Sequence, residues 1–144
     1  MCEDRSMRPD VKDVVVECTR ASDEERVSFG EVVMKLMKAG IERYHTDLVR
    51  GDKTYYLPNG ESEVVAGKAI TAVPAQDFSA AGVEGAVRAI QAGQIKYGEF
   101  CELAAGAGCV GYIVSISGQR VVYYGRSGDF HIEWFPGANR AKVA

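Results

Sequence analysis

Hydrophobic side chains recur along this chain with two periods, one helical and one extended, and the change from one to the other happens twice. Val11, Val14, Val15 and Cys18 fall at helical spacing, and Phe29, Val32, Val33, Leu36 and Met37 fill the i, i+3, i+4, i+7, i+8 stripe of a second amphipathic helix. Ser28 and Glu31 stand at capping-box spacing, where a hydroxyl and a carboxylate satisfy first-turn amides, and Gly40 supplies a left-handed exit. The period then becomes two, with Tyr44, Thr46 and Leu48 on the core face of a strand and Arg43, His45 and Asp47 on the other. Arg50-Gly51-Asp52 turns the chain into a strand from Lys53 to Leu57, and Pro58-Asn59-Gly60 into one from Glu61 to Val65.

The order then returns. Val83, Ala86, Val87 and Ile90 mark a third helix, Tyr97, Phe100, Cys101 and Ala104 a fourth, and Gly108 an exit into strands carrying Tyr112, Val114 and Ile116, then Arg120 to Tyr124, then Asp129 to Phe135. Shifted by 68 residues, the segment Val11 to Glu61 lies on Ser79 to Asp129 without a gap. Arg20 then meets Arg88, Ala21 meets Ala89, Gly30-Glu31 meets Gly98-Glu99, Ala39-Gly40 meets Ala107-Gly108, Tyr44 meets Tyr112, Tyr55-Tyr56 meets Tyr123-Tyr124, and Gly60 meets Gly128. One three-stranded meander exposes too much apolar face to stand alone. The expected fold is therefore α+β, an internal duplication of an α-α-β-β-β unit whose antiparallel meanders pack with helices about a pseudo-twofold axis. It spans residues 11–135 as one domain, with repeats 11–65 and 79–133, a connector 66–78, and flexible tails over 1–10 and 136–144.

Composition narrows the function without naming it. In 144 residues, 17 Lys and Arg face 20 Asp and Glu, a net charge of -3, and no window gathers the basic residues that a phosphate backbone or anionic membrane attracts. Nucleic acid and membrane are excluded as expected partners, and with no apolar h-region near the start a cytoplasmic setting is expected. Cys2, Cys18, Cys101 and Cys109 lack C-x-x-C spacing and read as reduced thiols, the last three at core positions.

Two sets of runs carry a resemblance. Val27-Ser28-Phe29-Gly30-Glu31-Val32-Val33, Ala39-Gly40-Ile41-Glu42-Arg43-Tyr44 and Thr54-Tyr55-Tyr56-Leu57-Pro58-Asn59-Gly60-Glu61 form the first. Ala89-Ile90-Gln91-Ala92-Gly93-Gln94-Ile95-Lys96-Tyr97, Ala107-Gly108-Cys109-Val110-Gly111-Tyr112 and Gly128-Asp129-Phe130-His131 form the second. The chain resembles, from about Val11 to Pro136, the YbcV-like bacterial and prophage domain of unknown function, whose members often carry the label "phage envelope protein". The resemblance implies no catalytic residues.

Candidate chemistry rests on few residues. The two histidines stand in similar contexts, His45-Thr46-Asp47 and His131-Ile132-Glu133, so that each shares a strand face with a carboxylate. With both faces read as opposite the core, His45, Asp47, His131 and Glu133 form a candidate divalent-metal or acid/base set. Tyr55 and Tyr123 are read as the outward members of their tyrosine pairs, an aromatic surface near Arg43, Arg120 and Arg126 suited to an interface. Gly125-Arg126-Ser127-Gly128-Asp129 joins two strands and reads as a turn rather than a phosphate cradle, with Arg126 and Asp129 as candidate binding residues. The favoured reading is a non-catalytic module that binds a small molecule or a protein, or pairs with a second copy as a homodimer. The alternative is a small metal-dependent or acid/base enzyme.

Overall fold

The computed structural model describes residues 6–138. Helices α1 (Pro9–Asp23) and α2 (Phe29–Lys38) precede strands β1 (Arg43–Asp47), β2 (Asp52–Tyr56) and β3 (Ser62–Ala66). Helices α3 (Ala80–Gln91) and α4 (Tyr97–Gly106) precede β4 (Cys109–Ser115), β5 (Arg120–Gly125) and β6 (Phe130–Trp134). The class is α+β, with the six strands in one antiparallel sheet ordered β3-β2-β1-β4-β5-β6.

Local chemistry sets the element ends. Ser28 Oγ accepts from the Glu31 amide while the Glu31 carboxylate accepts from the Ser28 amide, the capping box that the spacing predicts. Gly40 and Gly108 follow α2 and α4 with φ of +88° and +91°, so each chain reversal into a central strand passes through a left-handed residue. The stretch expected as an N-terminal tail, 1–10, includes the start of a helix. Met7 is buried and α1 begins at Pro9, because proline's fixed φ and missing amide suit a helix start. Residues 1–5, with Cys2, and residues 139–144 lie outside the described part.

The two meanders meet at β1 and β4, where His45 lies opposite Ile113, the residue 68 positions on. All four helices send side chains to one core on one side of the sheet, among them Val15, Leu36, Val83 and Phe100, against Tyr44, Tyr55, Val114, Val121 and Tyr123. Glu102 on α4 accepts hydrogen bonds from the Thr71 and Ala72 amides, and Ile70 and Phe78 pack on the core, so the connector is tied down along its length. Among the described residues no helix covers the opposite face of the sheet.

Candidate functional site

The sheet register decides which candidate residues share a face. Tyr44 stands directly opposite Tyr55, and Tyr112 opposite Tyr123. Partners across an antiparallel pair point the same way, so Tyr55 and Tyr123 follow Tyr44 and Tyr112 into the core. The expectation that they face outward is corrected: Tyr55 is 1% exposed, and its hydroxyl bonds to the buried Thr19 hydroxyl at 2.8 Å. Their neighbours Tyr56 and Tyr124 lie on the open face instead.

The same register argument relocates His131. It pairs with Tyr123, and Glu133 pairs with Val121, so both point toward the helices. There the Glu133 carboxylate accepts from Arg88 of α3 at 2.8 Å and contacts His131 Nε2 at 2.6 Å. Burial pushes the Glu133 carboxyl up, but the Arg88 and His131 hydrogen bonds outweigh it and hold the group below the usual carboxylate range. His45 and Asp47 remain on the open face. The four proposed metal ligands thus lie on opposite sides of a sheet, and among the described residues no three His, Cys, Asp or Glu side chains converge. Asp47 is further engaged as a turn cap, its Oδ1 accepting from the Val49 and Arg50 amides at 3.0 Å.

His45 instead finds a partner that its sequence context does not reveal. Tyr124 on β5 pairs with Gly111 on β4, and its ring crosses that glycine to reach β1, placing its hydroxyl 2.5 Å from His45 Nε2. The two rings stack 5.8 Å apart with 19° between planes. A Cβ at position 111 would fall 2.5 Å from the Tyr124 hydroxyl and 2.7 Å from the Thr46 carbonyl, so only glycine leaves room for this crossing. Burial pushes the Tyr124 phenol above its ordinary value, and the charges of Asp47 and Cys109 add to that.

Around this centre the face divides by chemistry. The β1 to β3 side presents Arg43, Asp47, Asp52, Thr54 and Ser62 around one valine, Val64, that is 59% exposed, with the Arg43 guanidinium 4.0 Å over the Tyr56 ring. On the β4 to β6 side are Ile113, Val122, Phe130, Ile132 and Trp134, where the Arg120 guanidinium lies 4.9 Å over the Trp134 ring. Phe130 is 61% exposed and Ile113 39%. On β6 the usual alternation is therefore inverted, its apolar residues facing away from the core and its polar ones toward it. Arg126 and Asp129 belong to the β5–β6 turn, where the Arg126 guanidinium donates to the Pro74 carbonyl and ties that turn to the connector.

The cysteine expectation concerns reactivity. Cys18, Cys101 and Cys109 are buried free thiols, and burial pushes Cys101 and Cys109 up to about 11, which keeps them protonated and poor nucleophiles. No described helix is long and apolar enough to cross a membrane.

No curated protein matches the chain. One family model does, over residues 20–133, which takes in the last turn of α1, the other three helices and nearly all of the sheet. The chain belongs to the family described as protein of unknown function DUF1398.

Proposed function

We propose that this protein is a non-catalytic binding module whose open sheet face closes on the same face of a second copy. The observation that carries the reading is the inverted alternation of β6. Phe130, Ile132 and Trp134 point away from the helices and continue an apolar surface begun by Ile113 and Val122. An uncovered antiparallel face normally presents polar residues to water, so an apolar one points to a partner.

A second copy suits the patch because it is largely uncharged: its one charged side chain, Arg120, is stacked on Trp134, so a self-complementary contact has a single pair of like charges to keep apart. Three strands of five residues give a footprint of roughly 14 by 17 Å, or ~240 Å² per copy. At ~25 cal/mol per Å², two such patches contribute about 12 kcal/mol, against an association cost of roughly 4–15 kcal/mol. The balance runs from about -8 to +3 kcal/mol, so the dimer is weak and micromolar at its tightest.

Sedimentation equilibrium from low to several hundred micromolar tests this. Phe130→Lys, at an exposed position, is expected to abolish association, while Ser62→Lys on the polar half leaves it. A strict monomer throughout, or a dimer indifferent to Phe130→Lys, overturns the reading. The runs Val27 to Val33 and Thr54 to Glu61 further support a YbcV-like member of the family, and the central register of His45 on Ile113 supports an internal duplication. Neither assigns a phage role, and the reduced buried thiols suit a cytoplasmic setting.

A further inference from the structure

On the helix side of the sheet, away from the open face, lies a polar cluster that the packing does not require. Lys53 of β2 is 6% exposed, and its Nζ donates to the Tyr97 hydroxyl at 2.7 Å and to the Tyr112 hydroxyl at 3.3 Å. Those two phenols share a hydrogen bond of 2.6 Å, and the ring centroids of Tyr97, Tyr112 and Tyr44 lie 4.6, 5.7 and 5.8 Å from the amine. Among the described residues no carboxylate lies within ion-pairing distance of Lys53. Asp23 of α1 faces it, but its Oδ2 accepts from the Lys68 amide at 3.0 Å. The thiols of Cys18 and Cys101 face the amine from α1 and α4.

A cavity of about 10 Å³, room for one water-sized molecule, borders Lys53, Tyr97, Cys101, Asp23 and Thr46. Thr46 is 4% exposed, and its hydroxyl, though it lies near that of Tyr112, has no partner in hydrogen-bonding geometry. The offset of 68 residues supplies an internal control. The counterparts of Lys53, Thr46, Tyr97 and Cys101 are Val121, Val114, Phe29 and Val33, all apolar. The same architecture is therefore built elsewhere in this chain without an amine, and the lysine calls for a reason of its own.

We propose that Lys53 is a nucleophilic amine that condenses with a one-carbon aldehyde taking the place of a water in this cavity. The amine lone pair forms a bond to the carbonyl carbon, the carbonyl π electrons pass to oxygen, and the nitrogen's proton is transferred to that oxygen, giving a carbinolamine. Protonation of its hydroxyl expels water and leaves an iminium, which returns its N–H proton to give the imine. The Tyr97 hydroxyl, 2.7 Å from the nitrogen and linked to Tyr112, is placed to carry these protons. Burial pushes Lys53 down to about 8, opposed by Cys101, Asp23 and Cys18. About a quarter of its amine is then unprotonated near pH 7.5, against roughly 0.1% for an ordinary lysine. The Gly51 turn and the start of the connector also line this cavity, held together by the Gly67 amide on the Gly51 carbonyl at 2.7 Å and by the Lys68 amide on Asp23.

Reductive methylation of the full folded chain with limiting formaldehyde and cyanoborohydride, followed by peptide mass spectrometry, tests the proposal. Lys53 is expected to react at least ~10-fold faster than exposed Lys68 and Lys96 at pH 7, and this lead is expected to narrow above pH 8. In urea the lead should vanish. Tyr97→Phe should slow Lys53 several-fold and leave Lys68 unchanged. Labelling of Lys53 no faster than Lys68 in the folded chain at pH 7, or a lead that persists in urea, overturns the proposal.

Discussion

Replacing Lys53 with methionine isolates the energetic cost of the buried amine. Its value of about 8 lies below the ordinary 10.5, so the folded state gives up this proton before the unfolded state does. Between those two values the unfolded chain binds more protons, and stability rises with pH; below about 8 the penalty is fully present. Two and a half pH units correspond to about 3 kcal/mol. Lys53→Met removes that penalty and keeps most of the side-chain volume, while giving up hydrogen bonds worth about 1 kcal/mol to the two phenols. The variant is expected to be about 2 kcal/mol more stable than the parent at pH 7, an advantage that disappears by about pH 10. The Cys101 and Cys109 thiols, raised to about 11, act in the opposite direction, since the unfolded chain ionises them first and absolute stability falls above about pH 9. Cys109 cancels in the difference, whereas Cys101, held down by Lys53, rises further in the variant and adds to the narrowing of the gap above about pH 9. Urea titrations of both chains from pH 6 to 10 read that difference, and a constant gap across the range would refute the reasoning.

Three other outcomes follow from the geometry. Gly111→Ala should destabilise by about 1–3 kcal/mol in thermal melts, because the added methyl meets the Tyr124 hydroxyl and the Thr46 carbonyl, and should separate His45 from Tyr124, visible as a changed His45 imidazole NMR signal. Ser28→Ala removes one half of the α2 capping box and should cost about 1 kcal/mol by urea unfolding. Glu133 ionises below its unfolded value, so its contribution is complete above about pH 4.3 and lost as pH falls through the lower folded value. Arg88→Gln should therefore lower stability at neutral pH and make no difference in strong acid; an unchanged deficit at low pH would count against the ion network.

Much of the fold was legible because short-range rules govern it. The stripe from Phe29 to Met37, the Ser28 and Glu31 pair, and the glycines after α2 and α4 each specify local geometry without reference to distant residues. The candidate site was legible only in part. Arg43, His45 and Asp47 lie on the outward face as their alternation requires. The tyrosine pairs offered no such guide, since Tyr55-Tyr56 and Tyr123-Tyr124 are equally apolar on both faces. On β6 the alternation was clear but pointed the wrong way, because the pattern shows which residues share a face and not which face is covered. Lys53 could have been noticed as a lysine sharing parity with Tyr55, but only once that parity was anchored by the pairing with Tyr44.

The sequence by itself determined the element types, their order, their caps and the repeated plan, because hydrophobic period and turn chemistry act over a few residues. Only the tertiary structure decided which face each strand buries, that Tyr124 crosses Gly111 to His45, that His131 is bound to Glu133 and Arg88, and that Lys53 sits among three tyrosines. Strand register is the physical reason. A shift of one residue exchanges the two faces of a strand, and that choice is made by long-range pairing and packing rather than by local pattern.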